Sequence, residues 1–527
     1  MDDVGNSDVG FTIGSAGRTL NIHNTSLTPN VDAIAMNDGI ILNNHITHFY
    51  CTPSRASFLT GRVPMHVQQG QAFPETPSSG IPRNMSTFAN LLSDTKKYEN
   101  YYFGKWDVGI STPTHTPSGR GFKGKLQQSF MNSSLSFAEH MIESFTQQVF
   151  PGGTACNLLD PNITDLWAGN GPAIGINGTN FIEELFVERV ISTITTINTT
   201  EDPMNTLIVW APKVIHYPLM VPEDTYNQFS WMDSTTDETW CNATTPYIYP
   251  SNNSESIPYS CRRQGWSLLS YFDQSFANVI QTIKSIPNLW ESTLLIVSSD
   301  NGSPLDLSEA GGNNYPLRGA KYSVWQGGIK VPAFVSGGYI PSNMRGTSLD
   351  QLVHISDWYS TIAYLAGVDP TDHKAEAAGL PPIDSLNLWP LLSGQNSTSP
   401  RVEIPVSPDS IISWPYKLVR GLSWWSGRTG SVYPNSSSTD PNADPDVWVD
   451  CGNGCLYDLS QDTEEYTNLA EVYPSIVSNL STRLDQLVPN FFTNNDTGID
   501  ICPNGTLLCG CYAAINIYKG YFGPYQY

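Results

Sequence analysis

Residues 51–62 combine a cysteine, a proline and arginines in a spacing that suits anion chemistry. Pro53 is well placed to begin a helix. Cys51 then lies at the positive end of that helix, where anions bind. Arg55 adds a guanidinium group, which pairs well with oxyanions. The segment predicts an anion-binding site at Cys51, and the alternative is a buried structural cysteine beside a helix cap.

Two short acidic segments predict a metal site. Asp2 and Asp3 open the chain, and Asp300-Asn301 follows a short apolar run at 293–297. Three carboxylates and one amide carbonyl form an all-oxygen ligand set that suits a hard cation such as Ca²⁺. Ligands also bind beyond the carboxyl ends of strands in α/β sheets. Taken alone, Asp-Asp pairs and Asp-Asn-Gly segments are common, and a simple turn is then the better interpretation.

The elements that must position these residues alternate between strands and helices. Short apolar runs at 39–42, 101–103, 206–210, 293–297 and 331–335 predict buried strands. Apolar residues recur at three- and four-residue steps in 267–284, and a similar pattern in 351–366 predicts a second helix. This alternation predicts an α/β fold with a mainly parallel central sheet flanked by helices.

The pattern changes after a polar stretch near residue 395. A strand-like piece at 416–419 and a helix candidate near 474–488 predict a smaller C-terminal α+β domain, and 425–445 is typical of a surface loop. We therefore predict a catalytic domain over residues 1–398 and a second domain over 399–527, which suits a chain of 527 residues.

Composition favours a protein of the secretory pathway, either lysosomal or extracellular. The net charge of −23 disfavours nucleic-acid partners, and no apolar run is long enough to span a membrane. Setting Cys51 aside leaves eight of nine cysteines, enough for four disulfides. N-x-S/T sequons are scattered along the chain and predict glycosylation.

Residues 51–62 resemble the signature C-x-P-S-R-x-x-x-L-T-G-R of the type I sulfatases, in the alkaline phosphatase superfamily. The resemblance runs from residue 2 to about residue 490, and the segment at 314–328 resembles the arylsulfatase B-like branch. It implies that a formylglycine-generating enzyme oxidises Cys51 to formylglycine. It also implies that Asp2, Asp3, Asp300, Asn301 and the oxygen at position 51 bind Ca²⁺ or Mg²⁺.

The same resemblance assigns cationic residues to the reaction. Lys105, His216 and Lys321 stand in matching segments and, with Arg55, would hold the sulfate oxygens. A hydroxyl of the formylglycine hydrate would attack sulfur, and His216 or Lys321 would protonate the leaving oxygen. Asp107 stands where the family has histidine, so it is the expected but weaker base for release of sulfate.

The resemblance implies hydrolysis of sulfate esters, on aryl sulfates or sulfated sugars such as a 4-sulfated galactosamine unit. Three alternatives remain: a phosphonate or phosphodiester hydrolase of the same superfamily, a weakly active or inactive sulfatase because of Asp107, and a structural secreted glycoprotein. In the family an apolar strand precedes the first aspartates. We therefore expect this chain to be truncated at its N-terminus, so that a signal peptide and that strand are missing.

Overall fold

A computed structural model describes most of the chain. The described residues are 1–14, 26–70, 80–123, 135–137, 166–169, 171–173, 181–197, 204–216, 219, 221–230, 248–249, 261–304, 311–428, 448–503 and 509–527. Part of the predicted loop at 425–445 lies outside them.

The strands, numbered along the chain, are short. They are β1 (Ile40–Ile46), β2 (Tyr98–Lys105), β3 (Leu135–Phe137), β4 (Trp167–Ala168), β5 (Gly171–Pro172), β6 (Asn205–Ala211), β7 (Val221–Pro222), β8 (Ile248–Tyr249), β9 (Leu295–Ser298), β10 (Ala333–Ser336), β11 (Thr347–His354), β12 (Glu403–Ser407), β13 (Ser410–Ser413), β14 (Tyr416–Val419), β15 (Leu422–Ser423), β16 (Val449–Asp450) and β17 (Cys455–Asp458).

Most of the α-helices lie between these strands, while the first two precede β1 and the last two follow β17. They are α1 (Gly10–Gly14), α2 (Pro29–Ala33), α3 (Cys51–Thr60), α4 (Pro64–Val67), α5 (Phe88–Asp94), α6 (Ile182–Ile197), α7 (Glu223–Asn227), α8 (Cys261–Ser285), α9 (Gln326–Ile329), α10 (Asp357–Ala366), α11 (His373–Ala377), α12 (Trp389–Leu392), α13 (Pro474–Leu487) and α14 (Cys509–Tyr512).

The chain divides into two compact units. Unit 1 contains Met1–Tyr50, Lys213–Ile355 and Leu388–Phe491, and unit 2 contains Cys51–Pro212, Ser356–Asn387 and Phe492–Tyr527. Each unit is discontinuous in sequence. The predicted division into domains at residue 398 stays a prediction.

Unit 1 is built on a four-stranded sheet of order β11-β1-β10-β9. β1 pairs parallel with β11, whereas β10 runs antiparallel to both β1 and β9. β1 and β9 therefore point in the same direction, and their carboxyl ends reach the same edge of the sheet. That edge carries Tyr50 after β1 and Asp300 after β9, so side chains far apart in sequence converge there.

The C-terminal part of unit 1 is a second sheet of order β12-β13-β14-β17, packed on α13. Apolar residues of this sheet, including Ile412 and Tyr457, also share a core with Ile46 and Trp325. Burying apolar area in this way is the dominant stabilising contribution to folding. The predicted small C-terminal α+β part is confirmed.

Unit 2 is built on a sheet of order β5-β4-β3-β2-β6, in which β2 pairs parallel with both β3 and β6. α3, α5 and α10 belong to this unit, whose core contains Leu59, Phe88 and Tyr359. The final segment also folds here, since Arg83 binds Asp496 through several hydrogen bonds. Strand and helix layers of this kind confirm the α/β class.

One predicted element is wrong in part. The pattern at 351–366 predicts a single helix, but Thr347–His354 forms β11 and the helix α10 begins only at Asp357. Leu352 and Val353 are buried because they pair with β1 in the sheet of unit 1. A short apolar run suits a buried strand and a buried helix equally well, so pairing with β1 decides between them.

Candidate active site

The acidic ligands predicted from sequence come together in unit 1. The backbone N–H of Asp3 donates to Oδ1 of Asp300 over 3.3 Å, and the N–H of Val4 donates to Oγ of Ser299 over 3.0 Å. These bonds join the first residues of the chain to the turn after β9. Asp2, Asp3, Asp300 and Asn301 are all buried, at 5% exposure or less.

Asp3 is the centre of this cluster. Its carboxylate accepts a hydrogen bond of 2.9 Å from Nζ of Lys321 and one of 2.7 Å from Nδ2 of Asn301. Nε2 of His216 lies 3.9 Å from Oδ2 of Asp3. The φ of Asp3 is +60°, a conformation that is uncommon outside glycine. The surrounding contacts therefore hold Asp3 in a strained geometry of the kind found at functional sites.

The donor set in unit 1 fits a hard cation. The possible ligand atoms of Asp2, Asp3 and His216 lie within 4.8 Å of one another. Oδ1 of Asn301 is buried and has no hydrogen-bond partner among the described residues. A buried carbonyl oxygen left in this way is costly unless something binds it. The carboxylate and amide oxygens of this set suit Ca²⁺ or Mg²⁺.

Lys321 belongs to a tightly held turn. Its N–H donates to the carbonyl of Ser303 over 3.1 Å, and the next residue, Tyr322, has a φ of +76°. The N–H of Tyr322 donates to the carbonyl of Phe49 over 2.9 Å. The ring of Tyr322 packs on Tyr50, with centroids 5.4 Å apart, and lies 5.4 Å from Nζ of Lys321. The rings of Tyr50 and Tyr322 thus form an aromatic surface beside Lys321.

The remaining predicted residues lie in unit 2. Cys51 is the first residue of α3, as the position of Pro53 predicts, and it carries a buried thiol that is not part of a disulfide. The hydroxyl of the next residue, Thr52, donates to Oδ1 of Asp107 over 2.8 Å. The start of α3 is therefore connected directly to the segment after β2.

Lys105 and Asp107 follow one another closely at the carboxyl end of β2. Nζ of Lys105 lies 3.9 Å from Oδ2 of Asp107, and both side chains are almost completely buried. Nη1 of Arg55 donates to the carbonyl of Lys105 over 3.0 Å, and the hydroxyl of Tyr102 donates to the same carbonyl. Burial raises the pKa of Tyr102 to about 12, so its phenol stays protonated and remains a donor.

The predicted residues therefore form two buried sets. Unit 1 holds Asp2, Asp3, His216, Asp300, Asn301 and Lys321, and unit 2 holds Cys51, Arg55, Lys105 and Asp107. The sequence predicts no role for Thr52, Tyr50 or Tyr322. Thr52 lies inside the recognised motif, so its contact with Asp107 could have been considered. No sequence pattern signals the positive φ of Tyr322.

Buried carboxylates and cationic side chains lie at the carboxyl ends of strands on an α/β fold, an arrangement that suits the binding of an oxyanion group and a metal ion. The chain belongs to the sulfatase family, whose model matches residues 2–368. It is a type I sulfatase and a sulfuric ester hydrolase, as the sequence resemblance predicts.

Curated relatives agree with this family. Mouse arylsulfatase J is 26% identical over 92% of this chain and 74% of its own length. Rat steryl-sulfatase is 26% identical over 86% of this chain and 78% of its own, and human arylsulfatase A is 26% identical over 89% and 82%.

Solved structures agree with the fold. The structure of Ps i-CgsB has a TM-score of 0.65 at 18% identity and covers 94% of this chain and 92% of its own. The PsFucS1 sulfatase from Pseudoalteromonas sp. has a TM-score of 0.64 at 18% identity and covers 94% of this chain and 91% of its own. The helices in the described part of the chain include none long and apolar enough to cross a membrane.

Proposed function

We propose that the protein hydrolyses sulfate esters with formylglycine, made from Cys51, as the source of the nucleophile. The observation that carries the proposal is the position of Cys51. It combines a buried thiol, the first residue of α3 and an unbroken family signature. The amino end of a helix favours a bound anion. A formylglycine-generating enzyme is then the maturation partner, and the formylglycine hydrate supplies one hydroxyl for attack on sulfur and a second for release of sulfate.

Asp2, Asp3, Asp300 and Asn301 are the proposed protein ligands of one divalent cation, with the oxygen at position 51 completing the set. The buried Oδ1 of Asn301 and the crowded carboxylates of unit 1 support this. The ligand types favour Ca²⁺, with Mg²⁺ as the second choice. When bound, the cation lowers the pKa of a coordinated hydroxyl and offsets charge on the sulfate.

Four cationic or titratable side chains are proposed to bind the sulfate group. Lys105, Lys321 and Arg55 stabilise the negative charge that grows on its oxygens. His216, 8% exposed, or Lys321 donates a proton to the leaving oxygen. Both sets of residues are assigned to one reaction because the family motifs that carry them occur together and in order along the chain.

Asp107 is proposed as the base that assists sulfate release from position 51. The nearby Lys105 ammonium favours the charged carboxylate, and the Thr52 hydroxyl hydrogen-bonds to it. Both contacts make the carboxylate a weaker base than the histidine that the family places there. We therefore propose reduced but real turnover, and a weakly active pseudo-sulfatase is the second candidate that this substitution favours.

The proposed substrates are aryl sulfates or sulfated sugars. The aromatic surface of Tyr50 and Tyr322 beside Lys321 can pack against a ring in the leaving group of the substrate. The name of one relative, the mouse N-acetylgalactosamine-6-sulfatase, indicates a sulfated sugar as its substrate. One similar structure, of Ps i-CgsB, contains a neocarrahexaose. A 4-sulfated galactosamine unit, as in the arylsulfatase B-like branch, is the proposed natural group.

The proposed location is the secretory pathway, lysosomal or extracellular. Within the described residues, the disulfides Cys451–Cys455 and Cys502–Cys509 suit an oxidising compartment. N-glycosylation at sequons such as Asn396, which lies in an exposed stretch, is part of the same proposal.

Mass spectrometry and an activity assay test the proposal together. In protein coexpressed with the generating enzyme, the peptide that contains residue 51 should lose its thiol and gain an aldehyde. Cys51→Ala should abolish hydrolysis of 4-nitrophenyl sulfate and leave the circular dichroism spectrum unchanged. Full activity of Cys51→Ala would refute the mechanism. Faster hydrolysis of a phosphodiester than of the aryl sulfate would instead favour the phosphodiesterase alternative.

A further inference from the structure

Two tryptophans of unit 1 form an exposed aromatic pair. Trp424 follows β15 and Trp448 precedes β16, so the two-stranded sheet of β15 and β16 brings them together. Their ring centroids lie 4.0 Å apart at an interplanar angle of 38°. Trp424 is 55% exposed and Trp448 is 49% exposed, and Leu422 beside them is 57% exposed. Large aromatic side chains normally bury most of their area, so two adjacent exposed tryptophan rings form a candidate binding surface.

The loop after Trp424 is attached to the segment that carries Lys321. The carbonyl of Gly427 accepts a hydrogen bond of 2.8 Å from the N–H of Gly319, and the carbonyl of Ser426 accepts one of 2.9 Å from Nε of Arg318. Chain spacing across these bonds places the Cα atoms of Trp424 and Lys321 within about 25 Å of each other. The Trp pair is thus fixed to the same turn as a proposed sulfate-binding lysine.

The base of this loop is held by contacts of buried residues. Nε1 of the fully buried Trp325 donates to Oγ of Ser426 over 2.6 Å, and the Arg318 guanidinium stacks 4.0 Å from the centre of the Trp325 ring. Trp425, which lies between Trp424 and Ser426, has a φ of +47°. Contacts with its neighbours must stabilise this uncommon backbone conformation. A fixed base keeps the exposed rings in one orientation and lowers the entropy cost of binding.

We propose that Trp424 and Trp448 form a subsite for an uncharged sugar ring of an oligosaccharide, separate from the sulfate-binding residues. The C–H faces of a pyranose carry a small positive charge and pack on the negative face of an aromatic ring. The exposed carboxylate of Asp450, at the edge of the pair, can accept hydrogen bonds from sugar hydroxyls. Its charge and the net charge of −23 disfavour a sulfated ring at this position.

A second copy of the chain is a weaker choice of occupant. The exposed parts of two tryptophans and one leucine together amount to about 300–400 Å². Stable protein interfaces bury about 800 Å² on each partner. A patch of this size suits a ring or two of a glycan chain, which need cover only the aromatic faces.

The inference deepens the proposed function, because the sugar would be part of the sulfated substrate, and its test separates the two. Unsulfated agaro-oligosaccharide binding is measured by tryptophan fluorescence and calorimetry, independently of turnover. Trp424→Ala and Trp448→Ala should each weaken this binding about tenfold or more, the cost of losing one aromatic anchor. Trp424→Leu keeps an apolar side chain without an aromatic face and should lose binding as well.

The matched control is Tyr339→Ala. Tyr339 is 46% exposed and packs on Trp389, but it follows the carboxyl end of the antiparallel strand β10, at the opposite sheet edge from Asp300. This variant should bind like the wild type. On a sulfated oligosaccharide the Trp424 variants should raise KM about tenfold, with kcat and the kinetics on 4-nitrophenyl sulfate unchanged.

The outcomes of these experiments distinguish failure of the subsite from failure of the proposed function. Sugar binding that depends on the tryptophans supports the subsite even if no variant hydrolyses a sulfate, in which case only the proposed function fails. Equal sugar binding by wild type and both alanine variants, with unchanged melting temperatures, overturns the subsite. A change from dimer to monomer in Trp424→Ala, seen by light scattering, also overturns it and assigns the patch to a second copy.

Discussion

Nζ of Lys321 donates a 2.9 Å hydrogen bond to the carboxylate of Asp3, and both side chains are almost completely buried. The two residues are 318 positions apart in sequence. Breaking a buried ion pair leaves one charge without compensation, which is more damaging than loss of an exposed pair. The pair therefore links two proposed site residues to the stability of unit 1.

Replacing Lys321 tests this link. In EDTA, Lys321→Met should lower the free energy of unfolding by about 3–5 kcal/mol, because Asp3 keeps a buried charge. Lys284→Met removes an exposed lysine that lies 3.3 Å from Asp38 and should cost about 1 kcal/mol or less. Urea denaturation measures both. Equal costs would show that the buried pair contributes no more than the surface pair.

The metal site can be tested through Asn301. Ca²⁺ should raise the melting temperature of the wild type, because a ligand that binds only the folded state stabilises it. Asn301→Ala should bind Ca²⁺ at least about tenfold more weakly, a loss of about 1.4 kcal/mol. Calorimetric titration gives the affinities directly.

The control for that experiment is Asn43→Ala. Asn43 also carries an amide in unit 1, but it donates to Asp350 on an exposed surface over 2.7 Å. Its loss should leave Ca²⁺ affinity unchanged. If the wild type binds no Ca²⁺, or Asn301→Ala binds as tightly as Asn43→Ala, the proposed ligand set is wrong.

Changing Asp107 to histidine should speed release of sulfate from residue 51. The wild type should show a burst of leaving group followed by slow turnover, since a carboxylate near Lys105 is a weak base. Asp107→His should remove the burst and raise kcat, which rapid-quench kinetics on 4-nitrophenyl sulfate would detect. Asp107→Asn, which removes the base, should keep the burst and lower kcat further. Slower turnover by Asp107→His would mean that aspartate is an adapted base.

Three buried histidines of unit 1 predict sensitivity to acid. Burial lowers the pKa of His45 and of His48 to about 3, and burial, followed by repulsion from Arg401, holds the pKa of His354 well below its usual range. Above a pH of about 6.5 neither folded nor unfolded chain protonates them. As the pH falls below 6.5 the unfolded chain binds protons that the folded chain does not. Stability is therefore present above 6.5 and is lost as the pH falls towards 3.

His354→Gln isolates one of these histidines. Each one contributes a loss of up to about 1.4 kcal/mol per pH unit in the window from 6 to 4. His354→Gln should flatten the dependence of unfolding free energy on pH by that amount, as measured by urea denaturation at several pH values. His373→Gln replaces an exposed histidine of unit 2 and is the control for the substitution itself. Identical slopes in all three proteins would contradict the prediction. A steep slope in the wild type would separately favour a neutral extracellular setting over an acidic one.

Local chemistry was readable from the sequence where neighbouring residues determine it. The start of α3 at Cys51 follows from Pro53, since proline suits the first turn of a helix. The strands β1, β2, β6, β9 and β10 follow from apolar runs, and α8 follows from its three- and four-residue period. These features depend on contacts within a few residues, so the pattern alone specifies them.

Contacts between distant segments were decided by the tertiary structure. Whether 351–354 forms strand or helix depended on pairing with β1, and the left-handed conformations of Asp3 and Tyr322 depend on partners far away in sequence. The Trp424–Trp448 pair likewise exists only because β15 and β16 meet across the intervening chain. The sequence by itself determined which residues we propose to carry the chemistry, because motif and composition are local. Which side chains touch was decided only when the folded chain brought separate segments together and buried their charges.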